Sequence, residues 1–174
     1  MSKRYLIGAC SLTLALAVMA PAAALAQQPS QPATGGNDST MLASAGLTFM
    51  NVSESTGVGV AGNILFNTLT TTGNGRIGIV GDLGLNHFDG GTVTTVMGGG
   101  RYTFNTSGKV VPYGQFVVGL VHCCGDTDFE PGLGFGADIA WRPNLNFRGE
   151  ISFIFGDADA TRFFFGVSLP LNKH

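Results

Sequence analysis

The sequence predicts an all-β protein, an eight-stranded antiparallel up-and-down transmembrane β-barrel, on three observations. Apolar residues alternate with small or polar ones at a period of two, which is typical of strands with two unlike faces. Short turns rich in Gly, Asn, Asp and Ser separate the alternating segments, so consecutive strands are expected to pair antiparallel. Within each segment the charged residues occupy one face only. An even number of such strands can close into a barrel without an exposed edge.

The first 26 residues predict a secretory signal peptide. Lys3 and Arg4 give a positive start, an apolar run follows, and the small-x-small triplet Ala24-Leu25-Ala26 predicts cleavage after Ala26. Residues 27–42 are rich in Gln, Pro, Ser, Thr and Gly and predict a flexible lead in the periplasm. Residues 43–172 are then expected to form a single barrel domain.

The composition favours a membrane barrel and argues against two other classes of protein. Charged residues make up 11% of the chain, against roughly 25% in ordinary globular proteins. The net charge of −2 comes without a basic patch, so nucleic acid is not an expected partner. The mature sequence has no uninterrupted apolar run of about 18 residues, which argues against a helical membrane span.

Eight segments of about ten residues carry the alternation, as expected of barrel strands. In chain order they are 43–52, 58–67, 75–88, 92–104, 110–122, 130–142, 145–155 and 161–171. The connections between them contain the turn residues 53–57, 70–74, 89–91, 105–109, 123–129, 143–144 and 156–160. All of these connections are short enough for hairpins.

The charged face of these segments is expected to line the lumen. From the third segment to the eighth it carries Arg76, Asp82, Arg101, Glu130, Asp138, Arg142, Arg148, Glu150 and Arg162. Opposite charges suit a buried network, whereas an Arg facing lipid near the midplane would cost about 2–4 kcal/mol. The rest of this face is mostly Gly, Ala, Ser, Asn and Thr, which suits the narrow interior of an eight-stranded barrel.

The opposite face carries aromatic residues near the strand ends and predicts two girdles at the membrane interfaces. One girdle contains Phe66, Tyr102, Phe104, Trp141 and Phe147, and the other contains Phe129, Phe155 and Phe163. The alternative is a soluble periplasmic lipocalin-like barrel, whose apolar face would line a cavity for an apolar ligand. The predicted strands contain no lysine, which is unusual for a sheet face in water, so the membrane barrel is favoured.

The strand pattern resembles the outer-membrane β-barrel domain family that includes the OmpA transmembrane domain and the OmpX-like small barrels. The resemblance spans 43–171 and is carried by Pro112-Tyr113-Gly114, Gly119, Gly132-x-Gly134-x-Gly136-Ala137-Asp138 and Asn146-Phe147-Arg148-Gly149-Glu150. It implies that both termini lie in the periplasm and that the lumen is largely filled. The expected partners are outer-membrane lipid, lipopolysaccharide and the barrel-assembly machinery. Such barrels commonly end in an aromatic residue, whereas this chain ends Leu169-Pro170-Leu171-Asn172-Lys173-His174.

The connections expected on the outer side carry only acidic charges. They hold Glu54 and a possible cation rim of Asp89, Asp126, Asp128, Asp157 and Asp159. Such a rim can bind divalent cations or the cation-bridged head groups of lipopolysaccharide. A simple solvated rim is the alternative, because the spacing of a calcium-binding loop is absent.

His122, Cys123 and Cys124 adjoin the same rim, and His87 ends the third segment nearby. Two Cys and two His can bind zinc or copper, although their spacing matches no known zinc motif. A disulfide between the two adjacent cysteines, or between two chains, is the competing hypothesis in an oxidising compartment. No metal site and no cofactor are therefore predicted.

A lipid-modifying hydrolase is the remaining alternative, with Ser53 or Ser55 as nucleophile and His87 or His122 as base. The sequence lacks the Gly-x-Ser-x-Gly elbow of many serine hydrolases, so no enzymatic activity is predicted. Loops this short cannot form a large receptor surface, and eight strands enclose little more than their own side chains. The sequence therefore predicts a structural or envelope-stabilising barrel.

Overall fold

Eight antiparallel strands close into a barrel in chain order, with β1 hydrogen-bonded to both β2 and β8. The computed structural model describes residues 41–72, 75–123, 125–156 and 159–171. Its strands are β1 (Met41–Val52), β2 (Ser55–Thr72), β3 (Gly75–Phe88), β4 (Gly91–Phe104), β5 (Val110–Cys123), β6 (Asp126–Arg142), β7 (Leu145–Ile154) and β8 (Ala160–Pro170). Because β8 closes on β1, none of these eight strands keeps an open edge.

The described ranges contain no helix, and so none that could cross a membrane. The predicted signal peptide, residues 1–26, and most of the predicted lead lie outside these ranges. Cys124, Asp157 and residues 172–174 also lie outside them.

The strands run between two rims. The terminal rim holds the start of β1 at Met41, the end of β8 at Pro170, the facing ends of β2 and β3 at Thr72 and Gly75, and the connections 105–109 and 143–144. The opposite loop rim holds the connections 53–54 and 89–90, the facing ends of β5 and β6 at Cys123 and Asp126, and those of β7 and β8 at Ile154 and Ala160. Both ends of the described chain therefore lie at the same rim.

Several strands are longer than the alternation predicts. β1 begins at Met41 rather than at residue 43, because Leu42 pairs with both Leu65 and Pro170 and is buried. The predicted turn 53–57 shrinks to 53–54, and the predicted connection 123–129 shrinks to 124–125. Polar residues there continue the hairpin ladders, with Val52 opposite Ser55 and Cys123 opposite Asp126.

Burial is inverted relative to a soluble barrel. Large apolar side chains face outward and are exposed, among them Leu47, Leu83, Phe116 and Phe165. Charged and polar side chains are buried inside, among them Arg101, Arg148, Thr48 and Asn86. The predicted soluble alternative, in which the Phe-rich face lines a cavity, is therefore wrong for this structure.

The interior also holds an apolar cluster that the alternation does not reveal. It consists of Leu42, Met50, Leu65, Val80, Val93, Met97, Val117, Ile154 and Ala160. Val52, Phe88, Val121 and Cys123 pack against it and are partly buried. The predicted interior of small residues and ion pairs is thus incomplete, because methionine and branched aliphatic side chains fill part of the lumen.

Glycines on β6 leave room for the larger interior side chains of β5. A Cβ atom on Gly134 would lie 2.8 Å from Cγ of Gln115, and one on Gly136 would lie 2.6 Å from the carbonyl oxygen of Gly149 and equally close to the Tyr113 ring. Both distances are shorter than real Cβ contacts allow. The small residues of β6 therefore position Tyr113 and Gln115 toward the centre of the lumen.

Candidate functional site

The first interior cluster is built around Arg148 of β7 and Asp138 of β6. The guanidinium donates from Nε to Oδ1 at 2.8 Å and from Nη2 to Oδ2 at 2.7 Å. Its Nη1 donates to Ser44 and to Asn63, both at 2.6 Å. Ser168 of β8 donates to Asp138 at 2.9 Å. One fork-shaped ion pair thereby links side chains of five strands across the lumen.

The second cluster surrounds Glu150 of β7. Its carboxylate accepts hydrogen bonds from the Tyr113 hydroxyl at 2.7 Å, from Gln115 Nε2 at 2.9 Å and from the Ser152 hydroxyl at 2.7 Å. Arg101 lies 3.6 Å away through Nη2, and its Nε and Nη2 donate to Gln115 Oε1. Since these groups are buried, the carboxylate is held by donors that replace water.

The ring of Tyr113 joins these two clusters. The Arg101 guanidinium carbon lies 4.0 Å from the centre of the ring, and that of Arg148 lies 5.2 Å from it. Two cations can approach each other here because an aromatic face and the carboxylates of Asp138 and Glu150 lie among them. The arrangement forms one connected polar plug in the half of the lumen nearer the terminal rim.

A third ion pair lies closer to the loop rim. Arg162 of β8 donates from Nη1 to Asp82 of β3 at 2.8 Å and to Thr95 of β4 at 3.3 Å. Beside it, Thr48 donates to Asn86 at 2.6 Å. The Arg162–Thr95 bond joins β8 to β4 on the opposite side of the barrel, and the side chains of Arg162 and Asp82 are almost completely buried. The interior is therefore crossed by side chains at more than one level.

Most of the predicted lumen charges lie in this interior. Asp82, Arg101, Glu130, Asp138, Arg148, Glu150 and Arg162 are buried, and Arg76 near the terminal rim is half-buried. Arg142 is different, and its predicted place in the lumen is wrong. A register shift between Ala140 and Arg142 leaves two residues of β6 opposite one of β7, which breaks the alternation. Arg142 is consequently exposed.

The predicted aromatic girdle residues lie on the outer face. Phe66, Phe104, Trp141 and Phe147 near the terminal rim are exposed, as are Phe129, Phe155 and Phe163 near the loop rim, and Tyr102 is half-buried. Tyr102 and Phe104 meet edge to face with ring centres 4.8 Å apart. Trp141 and Phe147 stack with the same separation. Each rim therefore carries outward aromatic side chains.

The carboxylates of the loop rim do not converge. Asp89 and Asp159 lie in connections, whereas Asp126 and Asp128 lie within the first three residues of strand β6. All four are exposed. Asp157 lies outside the described residues. Within the described ranges, no group of three or more His, Cys, Asp or Glu is placed to hold a metal ion.

The histidines and the cysteine near the loop rim face different sides of the sheet. Nδ1 of His87 lies 3.2 Å from the Thr92 hydroxyl, and Nδ1 of His122 lies 2.8 Å from the Thr127 hydroxyl. Both histidines are exposed, whereas Cys123 is half-buried and packs against the interior apolar cluster. His122 and Cys123 therefore do not form one metal-binding face, and Cys124 lies outside the described residues.

The serines considered as nucleophiles are exposed at the loop rim. Ser53 occupies a turn with φ of 54°, and Ser55 begins β2. The Nδ1 atoms of the two candidate bases, His87 and His122, are hydrogen-bonded to threonines. Among the described residues, neither Ser53 nor Ser55 is hydrogen-bonded to His87 or His122.

The barrel was compared with protein families, curated proteins and solved structures. No protein-family model matches the chain, and no curated protein does. Solved structures do match. Neisserial surface protein A (NspA) is 17% identical, covering 75% of this chain and 96% of that chain with a TM-score of 0.50. Ail of Yersinia pestis in a phospholipid bilayer nanodisc is 12% identical, covering 76% and 99% with a TM-score of 0.54.

A third match is the N-terminal β-barrel domain of OprF from Pseudomonas aeruginosa. It is 12% identical, covering 75% of this chain and 97% of that domain with a TM-score of 0.53. NspA is described as a surface protein and Ail as an outer-membrane protein. At these identities the likeness establishes the fold alone. The chain has the fold of the small eight-stranded outer-membrane barrels.

Proposed function

We propose that the mature chain is an integral outer-membrane β-barrel with a structural, envelope-stabilising role. The observation that carries this proposal is the inverted burial, in which Phe, Leu, Ile and Val side chains cover the outside while Arg, Asp and Glu fill the inside. Water is a poor solvent for such an outer face, and monomeric soluble proteins rarely expose apolar patches this continuous. A bilayer is the environment in which the same face is favourable.

The interior supports a structural role rather than that of an open pore. Arg101, Arg148 and Arg162 each reach acceptors on other strands, and the buried apolar cluster shares the interior with them. Eight strands enclose an interior just wide enough for side chains to fill. These buried side chains and the bonds between strands support the proposal of a filled lumen and a rigid wall.

Three partners belong to this proposal. Outer-membrane lipid covers the apolar face, and the barrel-assembly machinery inserts the chain. Lipopolysaccharide is the expected neighbour of the loop rim, where divalent cations can bridge its phosphates to Glu54, Asp89, Asp126, Asp128 and Asp159. The proposal includes no enzymatic activity.

Fractionation of cells that express the full chain tests the membrane location. We expect the protein in the outer-membrane fraction, shortened by the predicted cleavage after Ala26, and with faster gel migration before boiling than after. The shift reports a closed barrel that resists detergent at room temperature. Recovery as a soluble periplasmic monomer would overturn the proposal, because the exposed Phe and Leu side chains would then require another cover.

A further inference from the structure

The two rims of the barrel carry opposite charges. Among the described residues outside the lumen, every carboxylate lies at the loop rim, at Glu54, Asp89, Asp126, Asp128 and Asp159. The terminal rim carries cations instead: Lys109 and Arg142 are exposed there, and Arg76 is half-buried. A partner of the terminal rim is therefore expected to be anionic.

A β-bulge creates the central feature of the terminal rim. Ala140 pairs with Asn146 and Arg142 pairs with Leu145, so Trp141 is the additional residue and Arg142 leaves the lumen-facing side. The Arg142 guanidinium carbon lies 4.9 Å from the centre of the Trp141 ring, which stacks on Phe147. The guanidinium has no carboxylate partner within the described part of the chain. An exposed cation is thus held on an outward aromatic stack.

Lys109 lies beside this bulge. The Ala140 N–H donates to the Lys109 carbonyl oxygen at 2.8 Å, which fixes the end of the connection 105–109 against β6. The Lys109 side chain is exposed, so a second cation is available one strand away from Arg142. Aromatic rings with cations beside them are typical of the membrane–water interface, where the rings contact the glycerol and phosphate groups of lipids.

We propose that Arg142, Trp141, Phe147 and Lys109 form a binding site for the phosphodiester group of an anionic phospholipid at the terminal rim. The inference rests on the proposed membrane location. The Arg142 guanidinium donates to the phosphate oxygens, Lys109 supplies a second charge, and the Trp141–Phe147 stack contacts the upper acyl chain. The site is specific for negative head groups because no described carboxylate opposes them at this rim.

Trp141 reports on the site directly because it is the only tryptophan of the chain. The mature protein is folded into phosphatidylcholine vesicles that contain increasing fractions of phosphatidylglycerol, with bromine on the acyl chains of one lipid at a time. We expect brominated phosphatidylglycerol to quench Trp141 fluorescence more than brominated phosphatidylcholine at equal mole fraction. The corresponding preference in association should be roughly fivefold for each cation near the phosphate.

Variants assign the preference to named groups. Arg142→Gln should lower the preference by about fivefold and Lys109→Gln by a smaller factor, while Asp89→Asn at the loop rim should leave it unchanged. Arg142→Lys should retain part of the preference, because it keeps the charge and loses the planar contact with Trp141. Heat-dependent gel migration of each variant confirms that the barrel is folded.

The outcomes separate this inference from the proposed function. Equal quenching of a folded barrel by the two lipids would overturn the phosphate site and leave the membrane barrel standing. Full preference in the Arg142→Gln variant would overturn the assignment to this residue. If neither brominated lipid quenches Trp141, the terminal-rim stack does not contact lipid, and the proposed membrane location fails with it.

Discussion

At the scale of single residues, the buried carboxylate of Asp138 is held by several donors, whereas Nη1 of Arg101 and Nε of Arg162 are buried without a hydrogen-bond partner among the described residues. The two oxygens of Asp138 receive three hydrogen bonds, from Arg148 twice and from Ser168 once. A buried ion that loses its partner keeps the full cost of leaving water, so the penalty for removing one member exceeds the net stabilisation by the pair. The energetic role of these residues is therefore best measured by changing both partners together.

A double-mutant cycle on Asp138 and Arg148 tests this dependence. Asp138→Asn should lower the free energy of unfolding by about 3–5 kcal/mol, because it leaves the Arg148 guanidinium buried without a counter-charge. The double variant Asp138→Asn/Arg148→Met should lose less free energy of unfolding than the two single variants lose together. Urea titration in lipid vesicles, followed by gel migration, measures all of them. Asp89→Asn at the exposed loop rim is the control and should change stability by less than about 0.5 kcal/mol. Additive losses in the cycle would contradict the coupling.

The glycine at position 136 offers a second residue-scale prediction. A Cβ atom there would meet the Tyr113 ring and the Gly149 carbonyl oxygen at 2.6 Å, so Tyr113 would have to move away from Glu150. Gly136→Ala should therefore destabilise the barrel by about 1–3 kcal/mol in the same urea titration. Gly149→Ala is a matched control on the paired strand, since no atom lies within 4 Å of its Cβ position. Equal effects of the two substitutions would show that packing around Tyr113 is not tight.

At the scale of the strands, the sequence predicts the eight elements and their order because the period of two is nearly unbroken. It misses what interrupts that period: Arg142 is placed in the lumen by parity, and the bulge after Ala140 places it outside. It also reads Asp126 and Thr127 as loop residues, although pairing with Cys123 and His122 continues the ladder through them. A residue type that is common in turns can also end a strand, and only its pairing with the opposite strand distinguishes the two cases.

The interior apolar cluster also could not be predicted from the alternation of residue types. Met50, Met97 and Val117 lie on the lumen face of strands whose outer face is equally apolar, so alternation gives no contrast there. The ion pairs could be predicted as a set, because charges on one face must be shielded from lipid. Their actual partners, such as Arg148 with Asp138, follow from barrel register and not from the sequence pattern.

The turn between β5 and β6 provides an element-scale prediction. Gly125 has φ of 96°, a conformation that L side chains rarely adopt. Gly125→Ala should therefore cost about 1–2 kcal/mol of stability and slow formation of this hairpin. Gly90→Ala at the loop rim is the control, because Gly90 does not have a positive φ and has open space around its Cβ position. Unfolding in urea compares the two, and equal stability would contradict the strain at Gly125.

At the scale of the whole molecule, the barrel reverses the arrangement of a soluble protein, and each surface depends on its surroundings. The outer face is stable only where water is absent, while the interior supplies the polar contacts that lipid cannot. The alternation of apolar and polar residues is the same whether the apolar face points outward or into the lumen. Residue types, above all the lack of lysine in the predicted strands, indicate that the apolar face points outward. A substitution on the outer face distinguishes the environments most clearly.

Phe165 lies midway along β8, where it pairs with Leu47 and Gly149 and is 57% exposed. In a bilayer, Phe165→Arg puts a charge near the midplane and should lower the free energy of unfolding by about 2–4 kcal/mol. Phe104→Arg near the terminal rim should cost only about 0–1 kcal/mol, because its guanidinium can reach the head groups. Urea unfolding in vesicles measures both losses. A Phe165→Arg protein that is as stable as the parent, and more soluble without lipid, would show that this face meets water rather than membrane.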